Sequence, residues 1–317
     1  MILSKKKSVI KIQGGIDMFE DLLYRYRSGD SASIEAFEKE RLYFSTPEFF
    51  NDPFDSIAYI DYNRLWYNIN DDLDHHAKET LERKKKELFP LITDSNQECI
   101  LKLFNDPKTR SEFQKTVDRK IRYISKKITI NSKIICFSEE YLSNLMWSHY
   151  ANYHKGFLLA YSKASLKSAG LYNHEHILLE QKAKLKKVIY NKYMPDFSEY
   201  MYCILPNNTR EAIQQFRPML IKMLSSKTEE WSYEKEWRLC SLSDSIESED
   251  PAAYINISPV CVFVGARMEP PERWELYNIA KKKSIPVFEV WCNSTEPDYK
   301  LNFCTLDVKE LKEQIHE

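Results

Sequence analysis

The sequence predicts an α+β fold: a mixed, mainly antiparallel sheet core with a largely helical insertion. Three observations predict it. Strand-like apolar runs cluster at residues 22–46 and again from 133 to 291, whereas residues 56–133 are nearly strandless and highly charged. Leu, Phe, Val and Ile recur there at helical spacing among Lys, Arg and Glu, as on a helix with one buried face. Strand and helix also fail to alternate regularly, which argues against a doubly wound sheet. At 317 residues the chain can bury a large core without disulfide or metal staples. Residues 1–15 read as a flexible leader and 16–317 as a single α+β domain, with the helical insertion at about 56–133.

The first strand is expected at Leu22–Arg27, broken by Ser28-Gly29-Asp30. Asp30 or Ser31 can cap a helix over Ala32–Lys39, and a second strand follows at Leu42–Thr46, ended by Pro47. Asp52 and Pro53 carry the cap and first-turn chemistry of a helix start. Further strands are expected at Lys133–Ser138, Gly156–Tyr161, Leu185–Tyr190, Trp231–Leu242, Val260–Gly265 and Pro286–Trp291. Helices are expected at Leu142–Ala151, Asp196–Thr228 and Pro271–Lys283.

Composition removes several classes of function. Lys and Arg number 46 against 47 Asp and Glu, so a net charge of -1 supplies no global field for nucleic acid or an anionic membrane. The seven cysteines are scattered singly, without the close pairs of zinc ribbons or redox motifs, and read as reduced thiols. None of the six glycines stands in a GxGxxG or GxxxxGK arrangement, which sets aside phosphate-cradling Rossmann and P-loop designs. No run of about 18 apolar residues occurs, so the expectation is a cytoplasmic protein without a membrane partner.

Chemistry concentrates at Trp231-Ser232-Tyr233-Glu234-Lys235-Glu236-Trp237-Arg238. As a continuous strand it would turn Ser232, Glu234, Glu236 and Arg238 to one face and the aromatic residues to the other. Two carboxylates about 7 Å apart on one strand face perturb each other's ionisation and can stabilise a cationic transition state; they read equally as a solvated Glu–Arg ladder. A second cluster joins Arg25, Tyr26 and Arg27 of the first strand to Ser45 and Thr46 of the next. Arginine forks onto diphosphates, and hydroxyls hold a ribose.

In that order, Arg25, Ser45-Thr46 and Glu234-x-Glu236 resemble the ADP-ribosyltransferase superfamily, where an early Arg or His, a Ser/Thr-bearing strand and a Glu line an NAD crevice. The resemblance implies NAD as substrate and no metal. It makes Glu236 the catalytic carboxylate at the nicotinamide ribose and Glu234 its partner toward the acceptor. Arg25 becomes the phosphate contact and Ser45 the ribose or structural hydroxyl, with Tyr26, Thr46, Asn51, His149 and Tyr150 around the pocket. A second resemblance covers Leu22 to Val290 and is to the bacterial family known as domain of unknown function 2971. Four blocks carry it: Leu23–Tyr26, Phe44–Asp55, Cys136–Ser138 with Met146–Gly156, and Trp231–Arg238.

His149 and His154 stand five apart, which spreads them over different sides of a helix and makes no zinc pair. His149 reads either as a hydrogen-bonded structural residue or as a stacking or acid–base residue. Asn51, Asp52 and Asp55 read as turn and capping residues, as ligand contacts, or as magnesium ligands beside Glu234 and Glu236. The expected function is NAD cleavage with transfer of ADP-ribose to protein, nucleic acid or water, suited to a toxin or phage-defence effector. A metal-dependent nuclease and a non-enzymatic sensor binding nucleotide or peptide are the alternatives.

Overall fold

The computed structural model describes residues 19, 21–61, 63–64, 107–198, 210–243, 250–293 and 297–316. The expected leader, residues 65–106 of the expected insertion and residues 199–209 of the expected long helix lie outside them. In chain order the strands are β1 (Leu22–Arg27), β2 (Arg41–Tyr43), β3 (Ser132–Ser138), β4 (Phe157–Ser162), β5 (Leu171–Tyr172), β6 (Leu178–Leu179) and β7 (Lys184–Lys187). They continue as β8 (Ile189–Asn191), β9 (Ser226–Thr228), β10 (Glu236–Leu242), β11 (Tyr254–Asn256), β12 (Cys261–Val264), β13 (Val287–Cys292) and β14 (Leu301–Thr305). The helices are α1 (Ser31–Glu38), α2 (Pro107–Asn131), α3 (Asn144–Tyr150), α4 (Lys163–Ser168), α5 (Arg210–Leu224), α6 (Pro270–Lys282) and α7 (Val308–His316). None is long and apolar enough to cross a membrane among the described residues.

The α+β fold is as expected. Its main sheet has eight strands in the order β14-β13-β12-β4-β1-β3-β10-β7, and only β12–β13 are parallel. A four-stranded sheet, β2-β11-β5-β6, and the parallel pair β8-β9 complete it. Alternation along the strands divides the core into two faces. Leu23, Phe137, Leu159, Leu239 and Val262 face one side, packed by Phe37 of α1, Leu276 and Ile279 of α6 and Leu311 of α7. Tyr24, Tyr26, Leu158, Phe263 and Phe288 face the other, where α3 contributes Met146 and Trp147. Each such side chain, fully buried, stabilises the fold by about 1.5–3 kcal/mol.

Local chemistry sets the connections. Asp30 caps α1 by accepting the Ser33 N–H at 2.7 Å, with its other carboxylate oxygen taking the Ser28 hydroxyl at 2.6 Å. After α3 the chain holds three successive left-handed residues, Asn152, Tyr153 and His154. These conformations are unfavourable for non-glycine residues. Backbone N–H groups of Tyr153, His154 and Gly156 compensate by donating to Ser148, Trp147 and Ala151 carbonyls, while His154 stacks on Trp147.

Several sequence expectations need correction. Residues 229–234 form a 3-10 helix, and Lys235 is left-handed at φ 42°, so β10 begins only at Glu236. Pro53–Ser56 make a turn without a following helix, because the Asp52 carboxylate caps only the Phe54 N–H. The long helix over Asp196–Thr228 is cut: Ser226–Thr228 pair with β8 as a strand. The strand at Leu185–Tyr190 breaks at Val188, whose N–H turns to the Glu236 carbonyl. The second strand ends at Tyr43, and Ser45 makes an isolated bridge to Ile134.

One feature of the sheet matters for function. β1 shares six register pairs with β4, and β3 shares seven with β10, but β1 and β3 meet only at Tyr24 and Ser138. The sheet therefore splits between β1 and β3. A close backbone approach supports the β1 side: a Cβ on Gly156 would sit 2.0 Å from the Arg27 carbonyl oxygen. Gly156→Ala should accordingly lower stability by about 3 kcal/mol, read as a shift in the urea midpoint of the full chain.

Candidate functional site

The split exposes polar backbone along one side of β3, and three partners satisfy it. Ser138 pairs with Tyr24, Ile134 exchanges backbone hydrogen bonds of 2.9 and 2.8 Å with Ser45, and the Cys136 carbonyl between them accepts Arg25 Nη1 at 2.6 Å. Arg25 follows Leu23 on the pleat face opposite Tyr24 and Tyr26, so its guanidinium enters the gap from behind. Its buried Nε has no hydrogen-bond partner.

A cleft of about 300 Å³ opens at this gap, lined by Tyr24, Arg25, Tyr26, Ser45, Phe49, Phe50, Asn51, Asp55, Tyr150, Lys227, Glu234, Glu236 and Arg238, with Cys136, Phe137, Ser138 and Met146. Residues far apart in sequence thus share one wall. Seven of the residues read from the sequence are among them: Arg25, Tyr26, Ser45, Asn51, Tyr150, Glu234 and Glu236. Thr46 and His149 are not. Thr46 is buried and gives its hydroxyl to Glu48 at 3.3 Å, and His149 is exposed on α3 against the Tyr150 and Tyr233 rings.

Glu234 and Glu236 reach the cleft by a different route from strand alternation. The left-handed turn at Lys235 joins the 3-10 helix to β10, and the Ser138 hydroxyl anchors it by donating to the Glu234 carbonyl at 2.5 Å. The Glu236 N–H donates to the Tyr190 hydroxyl at 2.8 Å. On β10 itself Glu236, Arg238 and Cys240 share a face, as alternation requires.

Behind the cleft lies a buried ionic network. Arg238 is 0% exposed and makes two bidentate pairs, to Asp55 at 2.7 and 2.6 Å and to Glu236 at 2.8 and 2.9 Å. Its Nη1 also donates to the Leu224 carbonyl at 2.7 Å. Lys227 places its ammonium 2.6 Å from Glu234, 3.6 Å from Glu236 and 3.7 Å from Asp55, and 4.7 Å from the Trp231 ring centroid. The Tyr150 hydroxyl donates to the second Glu234 oxygen, and Asn51 Nδ2 donates to that hydroxyl at 3.2 Å.

Three carboxylates against two cations leave one negative charge in excess, and the environment decides where the proton goes. Burial pushes the Glu234 carboxyl above the usual glutamate range, and the Lys227 charge beside it does not fully offset that. Burial also opposes the Glu236 charge, but Arg238 overcomes it through charge and hydrogen bonds, assisted by Lys227, and Glu236 titrates below its usual range. Burial works against the Lys227 ammonium too; the charges of Glu236 and Glu234 outweigh it and raise its pKa. Both partners of the Lys227–Glu234 pair therefore shift upward. The shifts are compatible because Lys227 answers to three carboxylates, whereas Glu234 pairs with Lys227 and leaves Arg238 to Asp55 and Glu236. Burial and the Glu234 charge raise Tyr150, so it stays a donor. Burial and the neighbouring Glu236 raise the Cys136 thiol, and burial pushes Cys240 up to about 12, which leaves both un-ionised and poor nucleophiles.

The magnesium arrangement considered for Asp52, Asp55, Glu234 and Glu236 meets a positive obstacle. The Lys227 ammonium sits among the three carboxylates where a divalent ion would need to be, and Asp52 caps Phe54 instead of joining them. Among the described residues no group of three His, Cys, Asp or Glu is arranged to hold a metal ion.

Residues 146–239 match the family model described as protein of unknown function, DUF2971. This stretch is a DUF2971 region. It supplies Tyr150, Lys227, Glu234, Glu236 and Arg238, while Arg25, Ser45, Asn51 and Asp55 lie before it. No curated protein and no solved structure matches the chain. Sequence reasoning left out Lys227, the centre of the DUF2971 region's charge network, because nothing distinguishes it among 46 basic residues. Phe49 and Phe50 were legible as part of a block but not as cleft walls.

Two outcomes follow from the network. Arg238→Met leaves Asp55 and Glu236 buried without their partner and should cost about 3–5 kcal/mol of unfolding free energy in denaturant titrations. Glu236 has a lowered folded-state pKa, so its contribution is present above the unfolded value and lost as pH falls through the folded one. Glu236→Gln should destabilise the chain at pH 7, and the deficit relative to the unmodified chain should shrink in melts run at progressively lower pH, below the ordinary glutamate range.

Proposed function

We propose that the cleft at the sheet split binds the nicotinamide-mononucleotide half of NAD and that the protein cleaves its glycosidic bond, passing ADP-ribose to an acceptor. The observation that carries this reading is the convergence of Arg25, with its unpartnered buried Nε, Ser45 and Glu234 on one cleft between β1, β3 and β10. A phosphate oxygen is the acceptor that the Arg25 fork lacks, and forked arginine geometry suits it. Cleft volume favours half of the dinucleotide, being at the small end of the roughly 300–1,000 Å³ typical of ligand pockets. The remainder would extend along the open side past Phe49, which is 78% exposed.

Within this reading the two glutamates divide the work by what holds them. Both oxygens of Glu236 are bound to Arg238, so its charge is fixed in place and acts on a developing cation through space. Glu234 lines the cleft with its pKa raised by burial and a tyrosine donor on one oxygen, which suits a proton-transfer role. The C1′–N bond breaks with its electron pair leaving on nicotinamide, the ribosyl oxocarbenium is stabilised by the carboxylates, and an acceptor O–H or N–H bonds to C1′ while Glu234 takes its proton. The assignment differs from the order E-x-E suggests, since the first Glu is the proton carrier and the second the fixed charge. A setting as a toxin or phage-defence effector belongs to the same proposal, as does a cytoplasmic location.

The test is incubation of the full chain with NAD while free nicotinamide is followed. Release is expected, and Glu234→Gln should reduce it by about 100-fold or more. Arg25→Ala should weaken NAD binding in calorimetry. Absence of both nicotinamide release and NAD binding in the unmodified chain would sink the proposal; NAD binding with no cleavage in the presence of protein, DNA and RNA acceptors would leave a sensor.

A further inference from the structure

A second cavity, of about 370 Å³, adjoins the first: Lys227 lines both, and the neighbours Phe54 and Asp55 line one each. Its other walls include Ile57, Asn191, Tyr193 and Met194. Two of its aromatic rings are open to solvent, Tyr193 at 77% exposure and Phe54 at 62%. Exposed aromatic rings in a cavity are costly to hydrate and offer flat faces for stacking. Lys192, also on the lining, holds its ammonium 5.5 Å from the Tyr193 ring centroid, so cation and ring are presented together.

The chain segment that leads into the lining residues 191–195 is basic. On the edge strand β7, Lys184 and Lys186 are exposed and lie opposite Cys240 and Arg238 of β10, which puts them on the sheet face that carries the charge network. Lysines on an edge strand block edge-to-edge pairing. That role needs nothing beyond the strand, whereas Lys192 continues the series past β8 to the cavity itself. Lys186 and Lys192 lie on either side of the break at Val188, Lys186 on β7 and Lys192 directly after β8.

We infer that the second cavity binds single-stranded nucleic acid, with a base stacked on Tyr193 and Phe54 and phosphates along Lys192, Lys186 and Lys184. Stacking on aromatics combined with a cationic track is the general design for unpaired strands, and a duplex would not present its base faces. The lining carboxylate Glu230 accepts from a base N–H. If the cleavage proposed above is correct, the strand is the acceptor, brought to the Lys227 wall that separates it from the bound ribose. The binding itself does not depend on that reading.

The experiment is fluorescence anisotropy with the full chain and labelled 15-residue oligo-dT or oligo-U, against a duplex of the same length, alongside nicotinamide release from NAD on the same preparations. The expected result is tighter binding of the single strands than of the duplex, weakened roughly tenfold by Tyr193→Ala and by Phe54→Ala. The paired substitutions Lys184→Glu and Lys186→Glu should reduce both affinity and its salt dependence. Nicotinamide release to water should be unchanged in Tyr193→Ala, so failure of one proposal is separable from failure of the other. Absence of single-strand binding, affinities indifferent to both aromatic substitutions, or equally tight binding of poly-glutamate would overturn the inference, the last because it would show attraction of any polyanion with no base in the cavity.

Discussion

The buried guanidinium of Arg238 is the interaction on which the rest of the site depends. It joins Asp55 from an early turn, Glu236 from its own strand and the Leu224 carbonyl at the end of α5, segments that Lys227 then ties together a second time. A charge buried this deeply is stable only when its partners are in place. The converse also holds for Glu236, whose charge is held inside the protein chiefly by Arg238. Lys227 then pairs with Glu234 from the next strand, and burial raises the pKa of the Glu234 carboxyl, so it is the member of the network that takes up a proton ahead of Glu236.

The second constraint is the incomplete seam between β1 and β3. A continuous sheet would have consumed the β3 backbone in hydrogen bonds and left no cavity. Here Ser45 closes one end, Tyr24 the other, and Arg25 plugs the carbonyl between them while keeping one donor unpartnered. Both halves bury their strands on both sheet faces, so the gap lies between two packed layers. Polar side chains already aimed into an opening need little rearrangement to meet a ligand.

Most strands of the main sheet were legible because their apolar runs are long and flanked by breakers, as at Lys133–Ser138 and Val260–Gly265. Elements stabilised from outside were not. The short strands β5 and β6 carry little pattern of their own and exist because β11 offers β5 an edge and β5 in turn offers one to β6. Trp231–Glu234 looked like strand because its aromatic and polar residues alternate, yet the backbone turns there to place Glu234 on Lys227 and Tyr150. Tertiary ion pairing overrode a period-two pattern.

Residue types and their order in the chain were enough to mark Arg25, Ser45, Asn51, Tyr150, Glu234 and Glu236 as belonging together, since rare polar residues in strand and turn positions stand out against a patterned core. Thr46 and His149, singled out on the same grounds, face elsewhere. Which neighbour each carboxylate answers to was invisible, because that depends on contacts across more than 180 residues, as between Asp55 and Arg238. Pairing of that kind decides protonation, and protonation divides Glu236, a held charge, from Glu234, a carboxyl free to titrate. The acidic segment that dominates the sequence is therefore two structural units, one on each side of a left-handed lysine, and only the folded chain separates them.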